Sequence, residues 1–179
     1  MNRQFPDMAK QTLIKLLYEL LKNSKRSDRD IAKVIGVSQP TITRTRKKLE
    51  KTGYIKEYTV IPDVIRLGLE IVAFTFLNLV KPPLKAEKNP STAKDYDNLQ
   101  KWLETTPNVI FLAVGHGLNG KNSLMISAHK DFTEYSEFIS DFRSRWATFL
   151  METDTFLIST KGRILKPFSF TYIENIKRN

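Results

Sequence analysis

Apolar positions recur at helical spacing through the first third of the chain and then switch to strand-like runs. Between residues 8 and 22, Leu13, Leu16, Leu17, Leu20 and Leu21 share one broad face, which predicts an amphipathic helix. From Ser27 to Gly53 the chain reads as two short helices joined by a tight turn. Ser27 suits an N-cap, and Asp30 three residues on makes a near-match to a capping box. Ile31, Val34 and Ile35 then recur at helical spacing until Gly36 breaks the run. Ser38 caps the second helix, and Pro40 falls in its unbonded first turn. Ile42 and Leu49 lie on one face, and Gly53 supplies a left-handed stop. This is a helix-turn-helix pattern, with the 8–22 helix expected to close a small core against Ile31, Val34, Ile42 and Leu49.

After Gly53, YIKEYTVIP is rich in β-branched and aromatic residues and reads either as the wing of a winged helix or as a connecting strand. A domain boundary is expected between Pro62 and Gly68. From Glu70 the order becomes strand–helix–strand–strand–helix–strand: EIVAFTFLNLV, a helix capped by Ser91, VIFLAVG, SLMISAHK, a helix boxed by Asp131 and Glu134, and METDTFLIST. The fold class is therefore α+β, an N-terminal winged helix-turn-helix (1–62) joined by a linker (63–69) to a ferredoxin-like βαββαβ domain (70–166), with a tail at 167–179. Both helices are expected on one face of an antiparallel sheet. Ile71, Leu77 and Leu79 of the first strand would then stay wet in a monomer, so a second copy is expected to cover them. The alternative is that the apolar-aromatic tail folds back over that face.

Charge sharpens the picture. The net charge is +10, and +8 of it lies in residues 1–66, where a helix-turn-helix would meet phosphates. On the second helix of that motif, the side opposite Ile42 and Leu49 carries Pro40, Thr43, Arg44, Lys47 and Lys51, flanked by Gln39, Thr41 and Lys48. Arginine pairs with guanine, glutamine with adenine, threonine methyls touch thymine, and lysines reach phosphates. A solvated helix face is the plain alternative for such a charge run; the capped short helix upstream tips the reading to double-stranded DNA.

These residues resemble the Lrp/AsnC (feast/famine) transcriptional regulators. DIAKVIGVSQPTITRTRKKLEKTGYI and the extended connection ending in RLGLEIVAF carry the resemblance in the first half. PNVIFLAVGHG and SLMISAHKDFTEYSEF carry it more loosely in the second, over residues 7 to 165 in all. The resemblance implies dimers or larger homo-oligomers built through the second domain. It also implies an amino-acid-like effector bound near the turn at 115–123, with Gly115, His116, Gly117, Asn119, Asn122 and Ser123 as the candidate residues. Three departures stand out. The turn lacks the family's usual aspartate, so a ligand ammonium has no anionic partner in it. Arg46 replaces a usual aliphatic residue, which implies that the recognition helix packs or docks differently. The loop at 81–90 and the tail have no counterpart.

Other chemistry finds little support. With no cysteine there is neither a disulfide framework nor a thiolate zinc site. His129 and Asp131 lack ligand spacing and a third partner, so no metal and no cofactor is expected. Gly115-His116-Gly117 and Gly120 fit no nucleotide-binding fingerprint, and no nucleophile elbow occurs, so an enzyme is not expected. LIKLLYELLK carries charges within it, which argues against a signal peptide or membrane span and for the cytoplasm. The expected function is a sequence-specific regulator of transcription. The alternatives are a sequence-indifferent chromosome-organising protein, or a metabolite-binding module with a vestigial helix-turn-helix.

Overall fold

The structure, a computed structural model, describes residues 7–79 and 90–170, so nearly all of the 81–90 loop and the tail beyond residue 170 lie outside the described residues. The described residues divide into two compact units: residues 7–61 with 166–170, and the described residues of 62–165. The start of the tail thus groups with the helical unit and not with the sheet unit.

The first unit is built from α1 (Asp7–Lys22), α2 (Asp28–Ile35) and α3 (Gln39–Lys51). Leu13, Leu16, Leu20, Ile31, Ala32, Ile42 and Leu49 form its core, with Ile55 packed against it. Burying each such leucine or isoleucine contributes roughly 1.5–3 kcal/mol. Val34 departs from expectation and is largely exposed. In a helix of only eight residues the buried arc is set by Ile31, Ala32 and Ile35, and Val34 falls beyond its flank. The expected wing or connecting strand is not formed: residues 55–61 have no regular structure. Ile55 N–H donates to Leu49 O at 3.2 Å, and Tyr54, Val60 and Ile61 are exposed.

The second unit is a four-stranded antiparallel sheet in the order β2-β3-β1-β4. Its strands are β1 (Ile71–Leu79), β2 (Val109–Val114), β3 (Ser123–His129) and β4 (Leu150–Ser159). β1 pairs with β3 (Phe74 opposite Ile126) and with β4 (Phe74 opposite Phe156). Both edge strands slip register. On β2 the shift leaves Ile110 as an extra residue, and on β4 it leaves Met151 as one. Two helices, α4 (Pro90–Thr105) and α5 (Phe132–Arg145), cover one face. Ser91 is not the cap of α4, because the helix already includes Pro90. Asp131 caps α5 as expected, its Oδ1 accepting from Glu134 N–H at 2.8 Å. Between helices and sheet lie Leu99, Tyr135, Ile139, Phe142 and Trp146, with the rings of Trp102 and Trp146 6.0 Å apart.

The faces of β1 correct the expectation. Ala73, Thr75, Leu77 and Leu79 are the buried row, beneath the helices, and the row left without cover in this unit is Val72, Phe74 and Phe76. Small Ala73 and Thr75 let the helices approach, and bulky phenylalanines point the other way. Cross-strand neighbours extend the uncovered face through Leu124 and Ile126 on β3 and Phe156 and Ile158 on β4.

His129, fully buried, ends β3 under the helices. The amide of Asn108 donates to Ala128 O at 3.1 Å and faces His129 Nδ1 at 3.4 Å, so Nδ1 accepts. Nε2 then carries the proton and donates to Ser127 Oγ at 2.9 Å. With imidazole oriented this way, the serine hydroxyl has no base to activate it. The rings of Tyr135 and Phe138 close the site at 5.5 and 4.9 Å.

Burial pushes the His129 pKa below its usual 6.5, opposed by the nearby Glu134 carboxylate. A lowered folded value means that the histidine's contribution to stability is complete above pH 6.5 and drains away as pH falls from there towards the folded value. Denaturant unfolding followed by Trp102 and Trp146 fluorescence should therefore show the second unit weakening below that pH. His129→Gln should flatten the pH dependence in that range; an unchanged profile would contradict this account.

Candidate nucleic-acid interface

The orientation of α3 follows from local chemistry. Ser27 and Ser38 cap α2 and α3, accepting from Asp30 N–H at 3.1 Å and Thr41 N–H at 3.4 Å. Between them, Gly36 takes a left-handed φ of 80°, closing α2 with its N–H on Ala32 O at 2.9 Å. The fully buried Ile42 and Leu49 fix one side of α3 to the core, which turns the opposite side outward.

That outward side carries Pro40, Arg44, Lys47 and Lys51, all exposed, along a stripe spanning about 16 Å at 1.5 Å per residue. Gln39 and Lys48 are exposed beside it. The first turn of α3 holds no acidic residue, so the positive end of its dipole and the stripe present one sign of charge. Arg44 Nε leans back to Pro40 O at 3.3 Å in an exposed, exchangeable contact. Thr41 is half-buried, its hydroxyl 2.8 Å from Ser38 Oγ.

Thr43 does not join the stripe. Its hydroxyl donates to Asp28 Oδ2 at 2.7 Å and to Gln39 O at 3.2 Å, so it links α3 to the start of α2. The same carboxylate receives Arg46: Nε at 2.8 Å and Nη2 at 2.6 Å from Oδ1. Arg46 Nη1 further donates to Tyr58 Oη at 3.4 Å, and Tyr58 donates to Glu50 at 2.8 Å. Arg46 and Asp28 are only 18% and 20% exposed, which strengthens the pair relative to one in open water. Burial works against the Asp28 charge, but Thr43 and Arg46 more than offset it and hold the carboxyl below its ordinary range. Sequence reading noted Arg46 as unusual. Its partners, 18 residues before and 12 after, were beyond any local pattern.

In the second unit, the 115–123 turn separates into two parts. Gly115, His116, Gly117 and Asn119 are exposed, and Asn119 stands at a left-handed φ of 55°. Asn122 and Ser123 are spent internally. Asn122 brackets Leu79, accepting from its N–H at 3.0 Å and donating to its carbonyl at 2.5 Å, and Ser123 is buried. Sequence reading missed Lys121. Its side chain is only 5% exposed, and its ammonium pairs with Glu152 and with Asp154 (2.9 Å) on β4. The hydrogen bond to Glu152 raises its pKa above the ordinary lysine value. Carboxylates do reach this turn, but from the edge strand, with a cation already on them. Among the described residues no cluster of three or more histidine or carboxylate groups is arranged for a metal, and no helix is long and apolar enough to cross a membrane.

Comparison with known proteins places this geometry. A winged helix-turn-helix DNA-binding family matches residues 10–56. The HTH-type transcriptional regulator FL11 of Pyrococcus furiosus is 30% identical over 138 residues, 67% of this chain and 91% of FL11. The HTH-type transcriptional regulator LrpC of Bacillus subtilis is 30% identical over 98 residues, 55% of this chain but only 60% of LrpC's length. Among solved structures, the transcriptional regulator NMB0573 of Neisseria meningitidis, in complex with L-Met, superposes with a TM-score of 0.74 at 16% identity, covering 96% of this chain and 98% of that one.

The Asp28–Arg46 pair gives a direct test. Asp28→Ala strands a half-buried guanidinium and should cost roughly 1.5–3 kcal/mol in thermal or urea unfolding followed by far-UV circular dichroism. Adding Arg46→Leu should recover part of the loss, since an apolar replacement of both partners removes the stranded charge. A double variant no more stable than Asp28→Ala alone would contradict this role.

Proposed function

Since the chain belongs to the Lrp/AsnC family of transcriptional regulators, we propose that it reads double-stranded DNA sequence-specifically through α3 and acts as a homodimer or larger homo-oligomer. The observation that carries this reading is the exposed stripe of Pro40, Arg44, Lys47 and Lys51 on a helix pinned from behind by Ile42, Leu49 and Arg46. In this reading Arg44 and Gln39 meet base edges, and Lys47, Lys48 and Lys51 fix register on phosphates. Thr43 acts from behind by holding α3 to Asp28.

The uncovered sheet face supports dimerisation. Phe76 and Phe156 are 42% and 65% exposed beside Val72, Phe74, Ile126 and Ile158, an apolar surface that a second copy of itself would bury. Two copies joined this way bring two recognition helices to two half-sites. Regulation by an amino-acid-like ligand is carried over from the neighbour bound to L-Met. Here the exposed Gly115, His116, Gly117 and Asn119 are the part of the turn open to it. The protein is read as cytoplasmic and DNA-associated.

The primary experiment is binding to genomic DNA fragments, with the salt dependence measured for the best fragment and for random DNA. A few fragments strongly preferred, with a steep salt slope, is the result expected; equal binding to all would point to chromosome organisation instead. Arg44→Ala should cost roughly 1–3 kcal/mol on the preferred fragment and relax one position, whereas Lys47→Ala should weaken every sequence alike. Wild-type affinity in both variants would remove α3 as the reading element. Phe156→Glu should convert the dimer to monomer in analytical ultracentrifugation, and an unchanged sedimentation coefficient would place the interface elsewhere.

A further inference from the structure

The connection that leaves α3 passes from Gly53 to Ile61 and enters the second unit at Pro62. It begins anchored: Ile55 packs on the helical core and bonds Leu49 O. Beyond Ile55 it is exposed and irregular, and Thr59, Val60 and Ile61 gain no core contact. Tyr58 is the point at which it is held again. Its hydroxyl, on a ring half exposed to solvent, donates to Glu50 at 2.8 Å and accepts from Arg46 Nη1 at 3.4 Å. Both partners stand on α3, and Arg46 is itself clamped to Asp28 at the start of α2.

We propose that Tyr58, with Arg46 and Glu50, is a latch coupling the connecting segment to the recognition helix, so that a pull on the chain at Pro62 is delivered to the DNA-reading stripe. Two features suit it to this task. The arginine contact is long and the tyrosine half exposed, so the latch is weak; a hydrogen bond of this kind shifts an equilibrium by about fivefold. Effector couplings run from about 5-fold to 150-fold, enough to open such a contact. The arginine side is rigid, because Nε and Nη2 are already committed to Asp28, so motion of Tyr58 acts on α3 and is not absorbed by a swinging side chain. Tyr58 and Arg46 are positioning residues, and neither lies on the outward stripe. With the latch closed, the segment up to Tyr58 moves with α3 and only residues 59–61 remain loose; with it open, the free tether lengthens to residues 56–61.

This inference rests on the DNA-reading function proposed above, and its test is chosen to fail separately. The experiment uses full-length Tyr58→Phe, which removes one exposed hydroxyl and leaves the fold intact. Tryptic cleavage after the exposed Lys56 should speed up about fivefold, with thermal unfolding unchanged. Binding to duplexes carrying one half-site should match wild type, while the preference among duplexes whose two half-sites differ in spacing should shrink by a similar factor. Glu50→Gln, which keeps an acceptor for Tyr58, should retain most of the preference. Unchanged cleavage after Lys56 overturns the latch even if the protein binds no DNA. Faster cleavage with an unaltered spacing preference overturns its coupling role. Equal losses on single and paired half-sites would assign Tyr58 to contact with DNA instead.

Discussion

The ion pair between Asp28 and Arg46 is the contact on which the exposed basic stripe of α3 depends. Ile42 and Leu49 fix which side of α3 faces inward, but apolar contact alone leaves a helix free to slide and roll over its neighbour. Adding Arg46 and Thr43 to a single carboxylate at the start of α2 defines one crossing geometry, because charged hydrogen bonds are directional where dispersion is not. That carboxylate also neutralises the one cation of α3 that points backwards, so the positive charge left on the helix is the outward stripe. An aliphatic residue at position 46 would pack as well and leave the segment after Gly53 without its arginine contact.

The second unit solves a different problem. Its central strand is apolar on both faces, while its two helices can cover only one. The buried row is mostly small or polar, with Ala73 and Thr75 beside Ser127 and His129, and the bulk comes from the helices through Phe142, Tyr135 and Trp146. The open row is the one with phenylalanines. The face that bears the phenylalanines is thus the one that this unit's helices leave open.

Much of this was readable in the chain. The caps at Ser27, Ser38 and Asp131 and the stop at Gly53 depend on neighbours within four residues, and they appear where the sequence puts them. The order of strands and helices follows from periodicity in the same way. The failures involve longer range. Alternation along β1 divides its residues into two rows without saying which row the helices choose, because the same-face neighbours Met125, Ser127 and Thr155 come from other strands. Thr43 faced outward on a helical wheel, but Asp28, fifteen residues earlier, claims its hydroxyl. Lys121 looked like one more polar turn residue because Glu152 and Asp154, 31 and 33 positions later, come alongside only when the sheet forms.

The slips in register on β2 and β4 bear on how such a protein behaves when crowded. A sheet recruits further strands along its edges, and an edge that stays straight invites open-ended stacking into fibres. Here each edge is broken by an extra residue, Ile110 on one side and Met151 on the other, and the second is followed by the charged Glu152 and Asp154. Lateral growth is thereby discouraged. One irregularity, repeated at both margins, thus leaves neither edge of the sheet straight enough to template a further strand.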